Sequence, residues 1–244
     1  MTVGIVNSET ETEWMTIHVA TLFDCDADGR IRSLRRPWSR PGDAPRFFMG
    51  RTLEGNVWRF RHDLPDDVVR ELEVLCRSEP RAKRLARPPR NAGRIRTAIQ
   101  AHGPITGEYR GPAYLIPEGP DTPIDAVRVT KENVHVLETG FPWMVPPIMS
   151  EADIGPVTAA VVGSNAVSIC YCARLSPLGA EAGVQTLEPM RGKGHATNAV
   201  AAWAAAIRRQ GLLPLYSASW ENVASQRVAN KLGMACYGED WEIE

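Results

Sequence analysis

The sequence predicts a mixed α/β protein in which a mostly antiparallel sheet is flanked by helices. Two observations lead to this prediction: strand segments joined by short turns occur in both halves, and helices with an apolar stripe alternate with strands near the C-terminus. The 244 residues are enough for two small domains. Glycine and proline are concentrated at residues 111–123, which predicts a boundary between an N-terminal α/β domain at 1–122 and a second domain at 123–244.

The elements of the first domain follow from local spacing. About the first ten residues are polar and without periodicity, which predicts a loose tail. Val68, Val69, Leu72 and Leu75 have helical spacing after an acidic first turn. The predicted elements are strands at 15–23, 46–49 and 57–61, the last two forming a hairpin, and helices at 66–76 and 92–102.

The second domain alternates strands with helices. The helix at 195–210 has an apolar stripe and is ended by Gly211, while Gly163, Ser164 and Asn165 join two strands as a hairpin. The predicted elements are a strand and turn at 127–137, a rigid loop at 141–147, strands at 157–162, 167–174, 182–187, 213–218 and 234–243, and helices at 195–210 and 223–232.

Composition restricts the possible partners. Hydrophobic residues make up 43% and charged residues 23%, as in soluble globular proteins. A net charge of −1 argues against binding nucleic acid or a membrane through bulk electrostatics, and the arginines at 77–96 have no interleaved aromatics, which favours a solvated face or ion pairs between domains. No apolar run approaches the ~18 residues of a membrane span, and the acidic N-terminus is unlike a signal peptide. We therefore expect a cytoplasmic protein.

The metal-ligating residue types lack the spacing of a metal site. The five cysteines are scattered except for Cys170 and Cys172, which share one strand face and have no second pair elsewhere. Residues 24–29 resemble the start of a calcium loop, but Arg35 stands where a bidentate glutamate is needed, so an acidic hairpin turn is preferred. We expect reduced thiols and no metal.

The segment Glu188–Thr197 runs directly into an alanine-rich helix and fits the spacing R-x-x-G-x-A. Two glycines at the start of a helix leave backbone N–H groups pointing outward at the positive end of the helix dipole, which favours an anion such as pyrophosphate. The G-x-x-x-x-G-K-[ST] pattern fails at Leu187 and Gly194, and a dinucleotide fingerprint fails because the third glycine is absent.

Two motifs resemble one known superfamily. Arg191-Gly192-Lys193-Gly194-His195-Ala196 is similar to the acyl-CoA pyrophosphate loop of the GCN5-related N-acetyltransferases (GNAT). The second signature of that superfamily resembles Ser219–Ser225 followed by Lys231-Leu232-Gly233-Met234, with Met234 where phenylalanine is commoner. The order of strands and helices also agrees. The resemblance covers 125–244 and implies a splayed central sheet.

The resemblance implies an opening between the strands at 182–187 and 213–218 that holds the CoA thiol arm. Backbone groups of Thr186 and Leu187 would pair with the pantetheine. Backbone amides of the loop would hold the pyrophosphate, and the side chains of Arg191 and Lys193 would add positive charge. The alternative is a glycine-rich helix start that binds nothing. The candidate cofactor-binding residues are Thr186, Leu187, Arg191, Gly192, Lys193, Gly194, His195, Ala196, Thr197, Asn222 and Ser225.

Two of these candidates have a second, structural interpretation. His195 occupies a slot that packs on the helix start in the superfamily, so we interpret its side chain as structural. Asn222 is a favourable N-cap residue and Ser225 is ordinary in a first helical turn; both could cap the helix and still approach the CoA arm.

Amine acetylation needs a base, because an amine of pKa ~10.4 is almost wholly protonated at neutral pH. The resemblance favours Glu181, which opens the splayed strand; the alternative is a solvent-facing glutamate, and Glu221 is a weaker second choice. Ala229 stands where many relatives have a tyrosine that protonates the departing thiolate. Since a thiol of pKa ~8.5 leaves reasonably well as thiolate, Tyr216, Ser225 or water could serve instead.

The predicted function is transfer of an acetyl group from acetyl-CoA to a primary amine of a small molecule or peptide by direct attack. Alternatives are an acyl-CoA-binding sensor without turnover and an interaction protein whose loop binds a free anion. The N-terminal half matches no motif and is a degenerate copy of the fold or a cap. Trp143, Met144 and Trp220 would wall an acceptor pocket or pack in the core, and a homodimer is possible.

Overall fold

The computed structural model of the chain describes residues 10–38, 44–119, 125–150 and 152–244. The helices are α1 Glu11–Leu22, α2 Asp66–Arg77, α3 Ala92–Gln100, α4 Val145–Met149, α5 His195–Arg209 and α6 Val223–Lys231. The strands are β1 Phe23–Cys25, β2 Ile31–Leu34, β3 Phe47–Arg51, β4 Asn56–Phe60, β5 Glu108–Leu115, β6 Val127–Val129, β7 Val157–Val162, β8 Asn165–Leu175, β9 Gly179–Thr186, β10 Leu213–Ser217 and β11 Ala235–Ile243.

Nine of these strands form one open sheet with the order β4-β3-β11-β5-β10-β9-β8-β7-β6, and β1 pairs with β2 separately. All neighbours in the large sheet are antiparallel except β9 and β10. The predicted mixed, mostly antiparallel fold is therefore confirmed. Strands from the first half of the chain are hydrogen-bonded to strands from the second half on both sides of β11.

Helices cover both faces of the sheet. On one face, α5 buries Val200, Trp203 and Ile207 against the sheet. Near the other edge, α2 and α3 pack over Phe47 and Trp241. The opposite face is covered by α1 in a separate apolar cluster with β10 and β11. No helix in the described part of the chain is long and apolar enough to span a membrane.

The predicted strand at 15–23 is wrong, because residues 11–22 form α1. The β-branched residues of this segment favoured a strand, but Thr10 and Glu13 form a capping box that starts a helix. Met15, Val19 and Leu22 then fall on its buried face at helical spacing. The predicted tail at residues 1–9 lies outside the described residues.

The glycine- and proline-rich segment was predicted to form a linker. In the structure it begins inside the sheet. Glu108–Leu115 forms β5, which lies between β10 and β11. Pro112 is unusual within a strand that has two neighbours, since proline cannot donate to a ladder. Gly111 is required here because a Cβ would clash with the backbone of Ala218. The predicted boundary at residues 122 and 123 lies outside the described residues.

The remaining predicted elements agree with the structure apart from their ends. The hairpins β3–β4 and β7–β8, the helices α2, α3, α5 and α6, and the acidic turn between β1 and β2 are all present. One loop differs: residues 141–147 contain a 3-10 turn at Pro142–Met144 that continues into α4.

A buried carboxylate ties β11 to its neighbours. Glu239 is fully buried, and Arg51 donates to its Oε2 at 2.6 Å. Arg110 and the indole N–H of Trp220 donate to its Oε1. The same two arginines also donate to backbone carbonyls of Leu85, Ala86 and Arg87. This cluster therefore fixes the arginine-rich segment against the sheet.

We expect Glu239→Gln to lower the free energy of unfolding by about 3–5 kcal/mol, because it leaves the buried Arg51 and the half-buried Arg110 without a counter-ion. Asp24→Asn is the matched control: it removes the exposed pair with Arg35 and should cost under about 1 kcal/mol. Urea unfolding of both variants measures the difference. Equal losses in the two variants would contradict a structural role of Glu239.

Candidate active site

The parallel strands β9 and β10 pair only at their beginnings. Leu213, Pro214 and Leu215 oppose Gly179, Ala180 and Glu181, after which β9 continues beside β8 alone and β10 beside β5 alone. The two strands therefore diverge beyond Glu181. The structure confirms the opening that the resemblance implies between these strands.

The glycine-rich loop delivers helix α5 to one side of this opening. Gly192 and Gly194 have φ values of 79° and 91°, in the left-handed region that favours glycine. Gly194 is the N-cap residue, and Asn198 donates the first helical bond to its carbonyl. The N–H groups of His195, Ala196 and Thr197 consequently have no acceptor within the helix and suit an anion.

A cavity of about 570 Å³ lies between this loop and helix α6. Arg191, Arg227 and Lys231 line it, and no aspartate or glutamate is found among its described lining residues. Arg227 and Lys231 were not predicted as site residues. Their signal was available, because residues four apart on a helix that begins at Asn222 share one face.

The cavity brings together most of the predicted cofactor-binding residues. Its lining includes Thr186, Arg191, Gly192, Gly194, His195, Ala196, Thr197, Asn222 and Ser225. Two predicted residues are not among them. Lys193 directs its ammonium group to the Met190 sulfur at 3.6 Å.

The predicted pairing of Leu187 with pantetheine stays a prediction, although both backbone groups of this residue already have partners within the protein. Its N–H donates to the carbonyl of Val167, and its own carbonyl accepts from Met190. Its side chain packs against the apolar cluster around Phe141. The N–H of Leu187 is therefore used within the protein and is not offered to a ligand.

Helix α6 presents the second signature at the other wall of the cavity. Asn222 Oδ1 accepts from the backbone N–H of Ser225 at 3.1 Å, which confirms the predicted N-cap. Tyr216 projects from β10 toward this helix, and its hydroxyl donates to the Ser225 carbonyl at 3.4 Å. Burial raises the pKa of Tyr216 above its usual value. Ala229 is fully buried in the same apolar cluster as the Tyr216 ring.

Glu181 lies on the opposite face of the sheet, at the point where the strands diverge. The Ser217 hydroxyl donates to its Oε1 at 2.6 Å, and His18 Nε2 is 3.2 Å from the same oxygen. Glu181 is 7% exposed, so the alternative of a solvent-facing glutamate is wrong. Burial acts to raise the pKa of this carboxyl, but the hydrogen bond and charge of His18, with Arg174 and Ser217, hold it below its usual value.

The partner of Glu181 comes from α1, far away in the sequence. His18 is fully buried, and its Nδ1 lies 2.7 Å from the Tyr237 hydroxyl and 3.7 Å from Asp240 Oδ1. Burial acts to lower the pKa of His18, but Asp240 and Glu181 together raise it to about 9. Burial raises the pKa of Asp240 to about 6. No sequence pattern predicted this histidine.

His18, Glu181 and Asp240 are also the group of described residues whose ligand atoms could gather around a metal, lying within 4.8 Å of one another. However, the two carboxylates face different ring nitrogens of His18. An imidazole binds a metal through one nitrogen and donates through the other, so this arrangement suits an ion pair better than a ligand set.

The predicted acceptor-wall residues occupy three different places. Met144 is fully buried in the core. Trp143 is 37% exposed, and its ring centroid lies 5.2 Å from that of Tyr171 and 5.4 Å from that of Trp38. Tyr171 pairs with Gly183 and so shares the sheet face of Glu181. Trp220 binds Glu239 and is part of the buried cluster described above.

Comparison with known proteins gives one family match. Among curated proteins, none matches the chain. A solved GCN5-related N-acetyltransferase-like protein from Streptococcus suis 89/1591 is 16% identical, with a TM-score of 0.45 over 82% of this chain and 85% of that one. An acetyltransferase of the GNAT family from Colwellia psychrerythraea is 16% identical, with a TM-score of 0.42 over 57% of this chain and 58% of that one.

A third structure, AAC(6')-Iy in complex with the bisubstrate analog CoA-S-monomethyl-acetylneamine, is 18% identical, with a TM-score of 0.35 over 46% of this chain and 90% of that one. The family model described as GNAT acetyltransferase matches residues 154–239, which hold β7 to β10, both helices of the cavity and the diverging strands. Residues 154–239 are therefore similar to the GNAT acetyltransferase family.

Proposed function

We propose that this protein transfers an acetyl group from acetyl-CoA to a primary amine of a small molecule or peptide by direct attack. The observation that carries the proposal is the placement of two different chemistries at one opening. A cationic cavity at a helix N-terminus lies on one face of the diverging strands, and a carboxylate lies on the other.

The cavity fits the phosphate groups of CoA. Three cations and the free N–H groups of the first turn of α5 converge on it, and acidic residues are absent from its described lining. The donors are those that bind phosphate elsewhere in proteins. In this proposal the loop and Arg191 hold the pyrophosphate, while Arg227 and Lys231 bind further phosphate charge.

Acetyl-CoA, when bound, supplies the thioester that the amine attacks. The protein must then provide a place for the proton of the amine. Glu181 marks the apex of the opening, and both hydrogen bonds described above end on its Oε1, so Oε2 remains for the amine or an intervening water. We propose Glu181 as the general base.

We propose Tyr216 as the residue that assists the departing thiolate, with Ser225 beside it. The hydroxyl of Tyr216 stays protonated at neutral pH, because burial raises its pKa, and it lines the cavity together with Ser225. The ring of Tyr216 packs in the cluster that contains Ala229, where many relatives have their tyrosine. A phenol from the strand would thus replace a phenol from the helix.

We expect acetyl-CoA to stabilise the protein, by about 2.7 kcal/mol at about 100 times its Kd. Arg191→Ala should weaken acetyl-CoA binding about ten- to a hundredfold, because it removes a charge-assisted hydrogen bond. Arg209→Ala, at the other end of α5, is the matched control. Calorimetric titration measures both, and equal affinity for CoA and inorganic phosphate would leave only a free-anion site.

We expect Glu181→Gln to lower kcat at least about a hundredfold while leaving the Kd for acetyl-CoA unchanged, because the base acts on the acceptor. Glu221→Gln is the control, since Glu221 is exposed at the other lip of the opening. Acetylation of an amine panel, followed by mass spectrometry, measures the rates. Loss of rate in Glu221→Gln alone would move the base to that residue, and absence of thioester consumption in every form would indicate a sensor.

We expect Tyr216→Phe to lower kcat by less than about tenfold, because a thiol of pKa ~8.5 leaves well without help. Tyr114→Phe is the control, since Tyr114 lies opposite Tyr216 on β5 and its ring packs against it. If the two variants lose the same rate, the hydroxyl of Tyr216 has no role in thiolate departure.

A further inference from the structure

We propose that His18 is a positioning residue for the reaction, which orients the Glu181 side chain and keeps it as a carboxylate. This inference rests on the proposed role of Glu181. It assigns a part of the site to α1, which lies outside the segment 154–239 that matches the family.

The geometry fixes both ends of the imidazole. Nε2 faces Glu181 Oε1 at 3.2 Å, and Nδ1 faces the hydroxyl of Tyr237 at 2.7 Å. The ring is fully buried, so no water competes for these contacts. Ser217 donates to the same carboxylate oxygen from β10. The Glu181 carboxylate is therefore held from two sides, by a helix and a strand that do not adjoin in sequence.

The titratable and charged groups around this pair come from three strands. Strand β11 contributes Asp240, Glu242 and Tyr237, β8 contributes Arg174, and β5 contributes Tyr109. Burial, Asp240 and Glu181 raise the pKa of Glu242 to about 8, which favours the neutral form of this carboxyl.

His18 is consequently the cation nearest to two buried carboxylates, Glu181 and Asp240. A protonated imidazole between them offsets the desolvation of both carboxylates. With an uncharged residue in its place, burial and the charge of Asp240 would raise the pKa of Glu181. Without His18 the carboxyl of Glu181 would take up a proton at higher pH, and a protonated carboxyl cannot accept one from the amine.

The first test is His18→Gln, which keeps a donor near Glu181 and removes the charge. The acid limb of the pH profile of kcat/KM for the amine should move up by about 1 pH unit or more, and the rate at a pH on that limb should fall about tenfold. The rate should recover at higher pH, with an unchanged Kd for acetyl-CoA. His135→Gln, at an exposed position, is the matched control.

Two results separate the proposals. If the acid limb of His18→Gln lies at the same pH as in the unmodified protein, while Glu181→Gln is inactive, the role of His18 is overturned and Glu181 remains the proposed base. Full activity of Glu181→Gln overturns the base itself, and the inference about His18 falls with it.

A second measurement does not depend on the folding of His18→Gln. Nitrogen NMR of labelled histidine in the unmodified protein should show His18 protonated through neutral pH, with a pKa of about 9. In Glu181→Gln this pKa should fall, because coupling between two sites is reciprocal. A neutral His18 at pH 7 in the unmodified protein, or the same pKa in both proteins, overturns the proposal.

Discussion

The site depends on the short parallel pairing of β9 and β10, which ends after three residue pairs. Beyond that point each strand keeps only its outer neighbour, so an opening forms inside the sheet, and the backbone groups that face it have no strand partner. Because side chains alternate along a strand, Tyr216 and Glu181 leave this opening toward opposite faces. The donor and acceptor halves of the proposed reaction are thereby separated by one layer of backbone.

The two halves of the chain are joined by hydrogen bonds within a single sheet. Strand β5 lies between β10 and β11, so a strand of the first half pairs with β10, which forms one wall of the opening. Glu239 adds an electrostatic tie, since its two arginines come from β3 and β5. A rigid frame of this kind suits a site whose groups must be held in fixed positions, because strands move less than loops.

The sequence predicted the donor side far better than the acceptor side. The donor side is encoded locally: two glycines that permit positive φ, a helix start, and Asn222 as a cap lie within short motifs. The contact between His18 and Glu181 spans 163 residues, and no local pattern can report it. The Thr10–Glu13 capping box places His18 on the buried face of a helix, whereas the predicted strand at 15–23 took no account of it.

The buried carboxylates give the first half of the chain a part in the proposed site, through His18. Glu181 and Asp240 are buried on one face of the sheet near the half-buried Glu242, and carboxylates in an apolar interior are costly unless they are paired or neutralised. The raised pKa of Glu242 favours its neutral form, and His18 pairs with Glu181 and Asp240. In the proposed site, α1 therefore carries the charge that lets Glu181 remain ionised beside Asp240. Without α1, Phe48 of β3 and Tyr237 of β11 would lose their apolar cover, and Glu181 and Asp240 would lose the His18 cation. The segment 154–239 would then hold the proposed cofactor loop without a carboxylate poised to act as a base.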